Sequence, residues 1–338
     1  MSSMIERCYS LPCGDVEFAT DSEAIVRVLD AKTGAWAFKE RGQETASLRF
    51  SLLERKDGAP CPLPLSAVLI YTNQILPGVS FEYFRNGRQE IFRVGGTDLI
   101  VADYERGVAE GTCSLTSPAW DGEYVFNCVV LPILIEWLSR HKMYAFHGGA
   151  VVDGKQAIVL CGASGQGKTT AVMSLSFGGF QLLTDDIGLL MDSEAGLKIR
   201  GLPEPVNLCA DATTLFARLA PLQTEFDGAP KKAFAIERLL GGPPVSEGTP
   251  RLLLFPEIAP ESQTRVAPIS RGDAVDLLLP CCLFLTGMIE GCARFEAFLR
   301  LIETTRPMRL ILGRNMDVLP GLVRAALSEG SSFVASQF

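Results

Sequence analysis

Between Gly162 and Thr169 the chain reads GASGQGKT. This is the pattern G-x-x-x-x-G-K-[ST], whose glycines let backbone N–H groups close around phosphate oxygens. An apolar run, Ala157 to Cys161, precedes it and a helix-like segment follows, so a helix N-terminus adds partial positive charge at the same point. In that setting Gly162, Ala163, Ser164, Gly165, Gln166, Gly167, Lys168, Thr169 and Thr170 form a cradle for a nucleoside triphosphate. Lys168 reaches the outer phosphates, and the Thr169 hydroxyl ligates Mg²⁺. The pair Asp185-Asp186 begins 185 − 168 = 17 positions after Lys168, at the end of the strand-like run Phe180–Thr184. A carboxylate at the C-terminal end of a strand beside a phosphate loop is where Mg²⁺ or its waters are held. The plainer alternative is an Asp pair that only forms a turn.

The elements that must position these residues can be read on either side. Tyr144–Val152 is a strand with a small-residue patch around His147-Gly148-Gly149. Asp153-Gly154 turns it into the strand that feeds the loop. Thr169–Phe177 is a helix closed by Gly178-Gly179. Ile187–Met191 and Leu197–Ile199 form a hairpin, Asp211–Leu219 a helix and Pro221–Pro230 a mobile loop. Lys231-Lys232 then offers either a phosphate contact or a solvated surface pair. Arg251–Phe255 and Pro307–Leu312 read as strands, and Gly272–Leu279, Ala293–Ile302 and Leu319–Leu327 as helices.

The region before Tyr124 reads as β-rich, with short runs at Val16–Ala19, Ala24–Leu29, Ser47–Leu53, Ala67–Tyr71, Val79–Phe84 and Glu90–Val94. Asn86-Gly87 marks a type I′ hairpin between two of them. Trp36 and Trp120 could anchor a partner peptide or simply pack. Tyr124–Lys142 turns helical, broken near Pro132, and His141 reads as a charge partner for that helix's C-terminus. The expected division is therefore a β-rich accessory or substrate-docking domain over residues 1–122 and a catalytic α/β domain over 123–338.

The chain has 338 residues, 47% of them hydrophobic, and a formal charge of −8. That supply of apolar residues suffices for a sizeable core, and the acidic balance speaks against a nucleic-acid partner. The longest apolar runs, Val125–Leu138 and Leu277–Ile289, are interrupted or too short to span a bilayer and read as buried helices, so no membrane partner is expected. Ten cysteines lie scattered without a C-x-x-C spacing. They read as mostly buried thiols of a cytoplasmic protein.

Taken together, His147-Gly148, the phosphate loop and Asp185-Asp186 resemble the kinase domain of HPr kinase/phosphorylase and its related kinases. His147 precedes Lys168 by 168 − 147 = 21 positions, which matches that family's spacing. The Pro-Glu-Pro-Val-Asn-Leu stretch, Lys231-Lys232 and the closing strand and helix of Arg309–Leu327 are similar to the related kinases. The resemblance covers roughly Tyr144 to Leu327. It implies a phosphoenolpyruvate-carboxykinase-type mixed α/β fold with its own version of the phosphate loop, with ATP and Mg²⁺ as cofactors. It further implies that Lys168 contacts the β- and γ-phosphates, that Thr169 and Asp185 hold the metal, that Asp186 is the base on the accepting hydroxyl, and that His147 sits beside that carboxylate or the transferring phosphate. The family's bifunctional signature segment is absent, and Arg200-Gly201 only faintly echoes its Arg-Gly. The expectation is an ATP-dependent serine kinase acting on a small protein or precursor peptide, with a homo-oligomer allowed by the family pattern. The alternatives are a non-catalytic ATP-binding switch and a carboxykinase-like small-molecule phosphotransferase.

Overall fold

The computed structural model describes residues 4–33, 37–38, 46–55, 61–76, 78–115, 124–202, 204–260, 262–283, 288–313 and 315–334. Trp36, Trp120 and the Gly58-Ala59-Pro60 segment lie outside this set. The chain divides into two compact units, Met1–His141 with Phe284–Cys292, and Lys142–Leu283 with Ala293–Phe338. The helical segment Tyr124–Arg140 therefore groups with the first unit.

The first unit contains strands β1 (Ile5–Leu11), β2 (Gly14–Thr20), β3 (Ala37–Phe38), β4 (Leu48–Arg55), β5 (Val68–Leu76), β6 (Val79–Asn86), β7 (Gln89–Val94), β8 (Asp98–Asp103) and β9 (Val108–Ser114). They form one sheet in the order β3-β1-β2-β4-β9-β8-β7-β6-β5. Period-two burial, as at Leu48, Phe50 and Leu52, turns one face of each strand to the core. The expected strand over Ala24–Leu29 is instead part of a helix, Glu23–Thr33. Ile25, Val26, Val28 and Leu29 are all buried; spaced at i, i+3 and i+4, they fit a helical stripe better than a pleat.

The turn between β6 and β7 also differs from expectation. Asn86 pairs with Gln89, so Gly87 and Arg88 are its central residues, and only Gly87 has positive φ. That is the type II′ pattern, not I′. The segment after Tyr124 begins as a π-helical turn, Val125–Val130, and becomes α-helical from Leu131 to Arg140, with Pro132 in its first turn. Its end is closed by His141, whose Nδ1 lies 2.9 Å from the Trp137 carbonyl.

In the second unit the strands are β10 (Met143–Asp153), β11 (Gln156–Cys161), β12 (Gln181–Thr184), β13 (Ile187–Ser193), β14 (Gly196–Gly201), β15 (Val206–Cys209), β16 (Lys231–Phe234), β17 (Glu247–Ile258), β18 (Arg265–Pro268) and β19 (Arg306–Leu312). β10 is long and shared. Its first half pairs with β13, and its second half with β11 on one edge and β12 on the other. β17 runs parallel to both β11 and β19. A strand flanked by parallel neighbours and covered on both faces should be continuously apolar, and Leu252, Leu253, Leu254 and Phe255 are indeed all buried.

The helix Lys168–Phe177 lies across this sheet, with Val172 and Leu175 in a core shared with Val151, Ile158, Leu254 and Leu310. Its close approach needs Gly149, since a Cβ there would stand 2.5 Å from Val172 Cγ2. The helix ends as the Gly-Gly pair requires: Gly179 N–H bonds to Ser176 O and Phe180 N–H to Leu175 O, with Gly179 at φ +95°.

Two further expectations change. Ala217–Phe226, read largely as a mobile loop, is a 3₁₀ helix. Leu219 and Phe226 fix it by entering the core. The apolar run from Leu277 is not one helix. The helix Arg271–Leu278 ends in a 3₁₀ turn, Leu279–Cys281, where Pro280 removes an N–H donor.

Candidate active site

The phosphate loop stands where β11 gives way to the helix Lys168–Phe177. Gly167 caps that helix at φ +89°, and a Cβ on it would come 2.5 Å from Leu312 Cδ1. Glycine is therefore doubly required. The first N–H groups of a helix have no intrahelical acceptor, and here they open toward the loop. Ala163, Ser164, Gly165 and Gln166 are exposed along it. The Ala163 N–H donates to Gln166 Oε1 at 3.2 Å, which holds the lip in shape. Thr170 follows Thr169 in the first helical turn and is partly buried.

Lys168 is buried, and its ammonium donates to the carbonyls of Gly162 at 2.7 Å and Ala163 at 3.1 Å. Burial lowers its pKa, against the opposing pull of Cys281, Asp186, Cys161 and Asp185.

The two aspartates follow β12 in a tight bend closed by Thr184 Oγ1 donating to Ile187 O at 2.9 Å. Their environments differ. Asp185 is buried, with Oδ2 accepting from Thr169 Oγ1 at 3.1 Å, while Oδ1 is buried with no hydrogen-bond partner among the described residues. Burial, and then the charge of Asp186, push its pKa up to about 7, despite the hydrogen bond from Thr169 and the charges of Lys231 and Lys168. A buried carboxylate oxygen without a donor, next to the loop hydroxyl, is a donor set that suits a hard cation. Among the described residues no three His, Cys, Asp or Glu side chains gather to hold a metal unaided. Thr169 and Asp185 would thus supply two oxygens, with phosphate oxygens and water completing the shell.

Asp186 is half-exposed, and His147 Nδ1 lies 2.9 Å from its Oδ1. The backbone joins them as well. His147 is paired with Ile187 across β10 and β13, and Gly148 N–H donates to Asp186 O at 2.8 Å. Burial alone would raise the pKa of Asp186. The hydrogen bond and charge of His147, with Lys231 and Lys168, outweigh it and hold the carboxyl below its usual range. One carboxylate is thus disposed to take a cation and the other to stay ionised and accept a proton.

Two neighbours complete the group. Of the Lys231-Lys232 pair, Lys232 Nζ donates to Glu225 O at 2.6 Å, whereas Lys231 acts electrostatically on both aspartates. The residue names alone cannot separate the two lysines; β-strand alternation in β16 does. Cys281, 281 − 161 = 120 residues beyond Cys161, also reaches the base of the loop, and no sequence signal marks it.

No protein-family model and no curated protein sequence matches the chain. A solved structure of the HPr(Ser) kinase/phosphatase from Coxiella burnetii overlaps it at TM-score 0.31 and 14% identity, covering 57% of this chain and 95% of that one. That overlap is too loose to assign a fold or an activity.

Proposed function

We propose that the chain is an ATP- and Mg²⁺-dependent kinase that transfers the γ-phosphoryl group to a serine hydroxyl of a small protein or peptide. In this reading the second unit, Lys142–Leu283 with Ala293–Phe338, holds a phosphoenolpyruvate-carboxykinase-type catalytic fold, and the β-rich first unit serves docking. The observation that carries the proposal is the division of labour between Asp185 and Asp186. One is buried, bonded to the loop threonine and left with an oxygen that has no partner among the described residues. The other is half-exposed and held by His147.

Phosphoryl transfer asks mainly for positioning and charge stabilisation. The loop N–H groups and Lys168 hold the phosphates. Bound between Thr169, Asp185 and the phosphates, Mg²⁺ would supply charge neutralisation on the phosphate oxygens. Asp186, kept ionised, orients the serine hydroxyl and takes its proton as the oxygen attacks. His147 fixes the Asp186 carboxylate, and Lys231 adds positive charge on the open side. An ATP-binding switch would need the loop and the metal residues but would have no use for an ionised, histidine-held second carboxylate.

The test is incubation with γ-labelled ATP and Mg²⁺ against peptides and small proteins encoded beside this gene, with phosphoserine located by mass spectrometry. Mg·ATP binding without label on any serine would favour the switch.

A further inference from the structure

Beneath the phosphate loop lies a pair of thiols for which the transfer mechanism has no use. Cys161 is the last residue of β11, directly before Gly162. Its partner Cys281 closes the short turn Leu279–Cys281, which is tied to the neighbouring strand. Cys282 bridges Phe146 on β10, and Leu283 N–H donates to Ala145 O at 3.1 Å. Gly148, two residues along β10 from Phe146, pairs with Cys161. The register therefore brings the end of β11 and the turn together, and the two sulfurs interact there.

The two sulfurs are not equivalent. As a thiol Cys281 donates to the Leu277 carbonyl at 3.6 Å; ionised, it faces the Cys161 thiol and the Gly162 N–H and feels the charges of Lys168 and His147. These together hold it toward the thiolate against its burial. Cys161 is pushed the other way, by Cys281 and by burial. A thiolate beside a thiol is the arrangement in which the first sulfur is oxidised and the second resolves it. Both are buried, but Leu279 and Pro280, at the head of the same turn, are exposed. Peroxide is a small oxidant that needs little more room than water.

We propose that Cys161 and Cys281 are a redox modification site: hydrogen peroxide joins them as a disulfide beneath the phosphate loop, and this reversibly blocks nucleotide binding. The Cys281 thiolate attacks one peroxide oxygen; an S–O bond forms, the O–O bond breaks, and hydroxide leaves. The Cys161 sulfur then attacks the Cys281 sulfenic acid. The S–S bond forms, the S–O bond breaks, and the hydroxyl departs as water with the Cys161 proton. Two thiols lose two electrons to one peroxide. The covalent bond draws the two sulfurs closer than two separate thiols can stand, so the root of the loop must shift. The blocking effect rests on the nucleotide-site reading; the disulfide does not.

The full-length protein, reduced and desalted, is treated with hydrogen peroxide, alkylated and digested without reductant for mass spectrometry. In parallel, a fluorescent ATP analogue with Mg²⁺ is titrated. The expected result is a joined Cys161–Cys281 peptide and nucleotide binding weakened by about tenfold or more, the scale of one lost charge-assisted contact, with recovery in dithiothreitol. Cys161→Ala and Cys281→Ala should each bind nucleotide equally well before and after peroxide, while Cys282→Ala should stay sensitive. The proposal is overturned if the exposed Cys209 and Cys292 are oxidised with no joined peptide formed, if the joined peptide leaves nucleotide binding intact, or if Cys281→Ala remains sensitive. Should the reduced protein bind no Mg·ATP, it is the kinase reading that fails, and the joined peptide still decides the cysteine pair.

Discussion

Asp185 gives the account a thermodynamic handle that needs no substrate. Its carboxyl has an ordinary pKa of 3.8 and is pushed up to about 7 in the folded chain. The folded state therefore holds this proton more tightly than the unfolded state does. Stability from this group is fully present below pH 3.8 and is lost as the pH rises through about 7. At 1.36 kcal/mol per pH unit, a rise of roughly three units makes the ionised, metal-free site cost about 4 kcal/mol at pH 8. Asp185→Asn removes that cost but leaves an amide N–H₂ where Oδ1 had no partner, at about 1–2 kcal/mol. The net expectation is a variant about 2 kcal/mol more stable than wild type at pH 8 in EDTA, or a melting point higher by several degrees. At pH 5 the folded carboxyl is protonated and only about 1.6 kcal/mol of the cost remains, which the amide penalty offsets, so the gain should vanish. Differential scanning calorimetry at the two pH values measures it. Mg·ATP should then raise the wild-type melting point more than the variant's. A variant less stable than wild type at pH 8 in EDTA would refute the reasoning, because it would mean that the Asp185 charge is already stabilised by the protein itself.

Other substitutions probe the neighbouring parts. Gly167→Ala forces a Cβ onto a left-handed residue against Leu312 and should weaken nucleotide binding by about tenfold, from strain of about 1–2 kcal/mol; calorimetric titration reads it. Lys231→Ala should cut the transfer rate by about tenfold or more with little change in nucleotide affinity, consistent with loss of a charge felt chiefly in the transition state. Lys232→Ala, whose ammonium is engaged by Glu225 O, should leave the rate within about twofold. His147→Ala removes what holds Asp186 below its ordinary range. The acid limb of the pH–rate profile should therefore move to higher pH, and activity at pH 6 should fall more than activity at pH 8.

Much of the site was legible because its residues are local in sequence or carry a strong backbone constraint. The phosphate loop needs glycine at Gly167 for both φ and space, so the motif survives as letters. Gly178-Gly179 announces the helix end for the same kind of reason. Asp185-Asp186 was legible as a pair, but its division into a buried oxygen donor and a histidine-held carboxylate depends on β10 passing beside the bend. Lys231 was separable from Lys232 only once strand alternation and the Glu225 carbonyl were in place. Cys281 left no trace, since it reaches Cys161 across 120 positions through the pairing of β10 with both segments. In the first unit, Ala24–Leu29 misled because Ile25, Val26, Val28 and Leu29 suit a strand by residue type and a helix by spacing, and the buried stripe favoured the helix. Pro221–Pro230 reads as a loop from its polar residues, while Leu219 and Phe226, anchored in the core, draw its first half into the 3₁₀ helix Ala217–Phe226.

In the proposed reaction Asp186 is the proton acceptor of the phosphoryl transfer and takes no part in nucleotide binding. The most direct measurement pairs Mg·ATP affinity with single-turnover transfer from γ-labelled ATP for wild type and Asp186→Asn. The Asp186→Asn variant should keep affinity within about twofold of wild type and lose transfer by about a hundredfold or more. Normal transfer by Asp186→Asn would contradict that role, as would a loss of transfer fully explained by lost nucleotide binding.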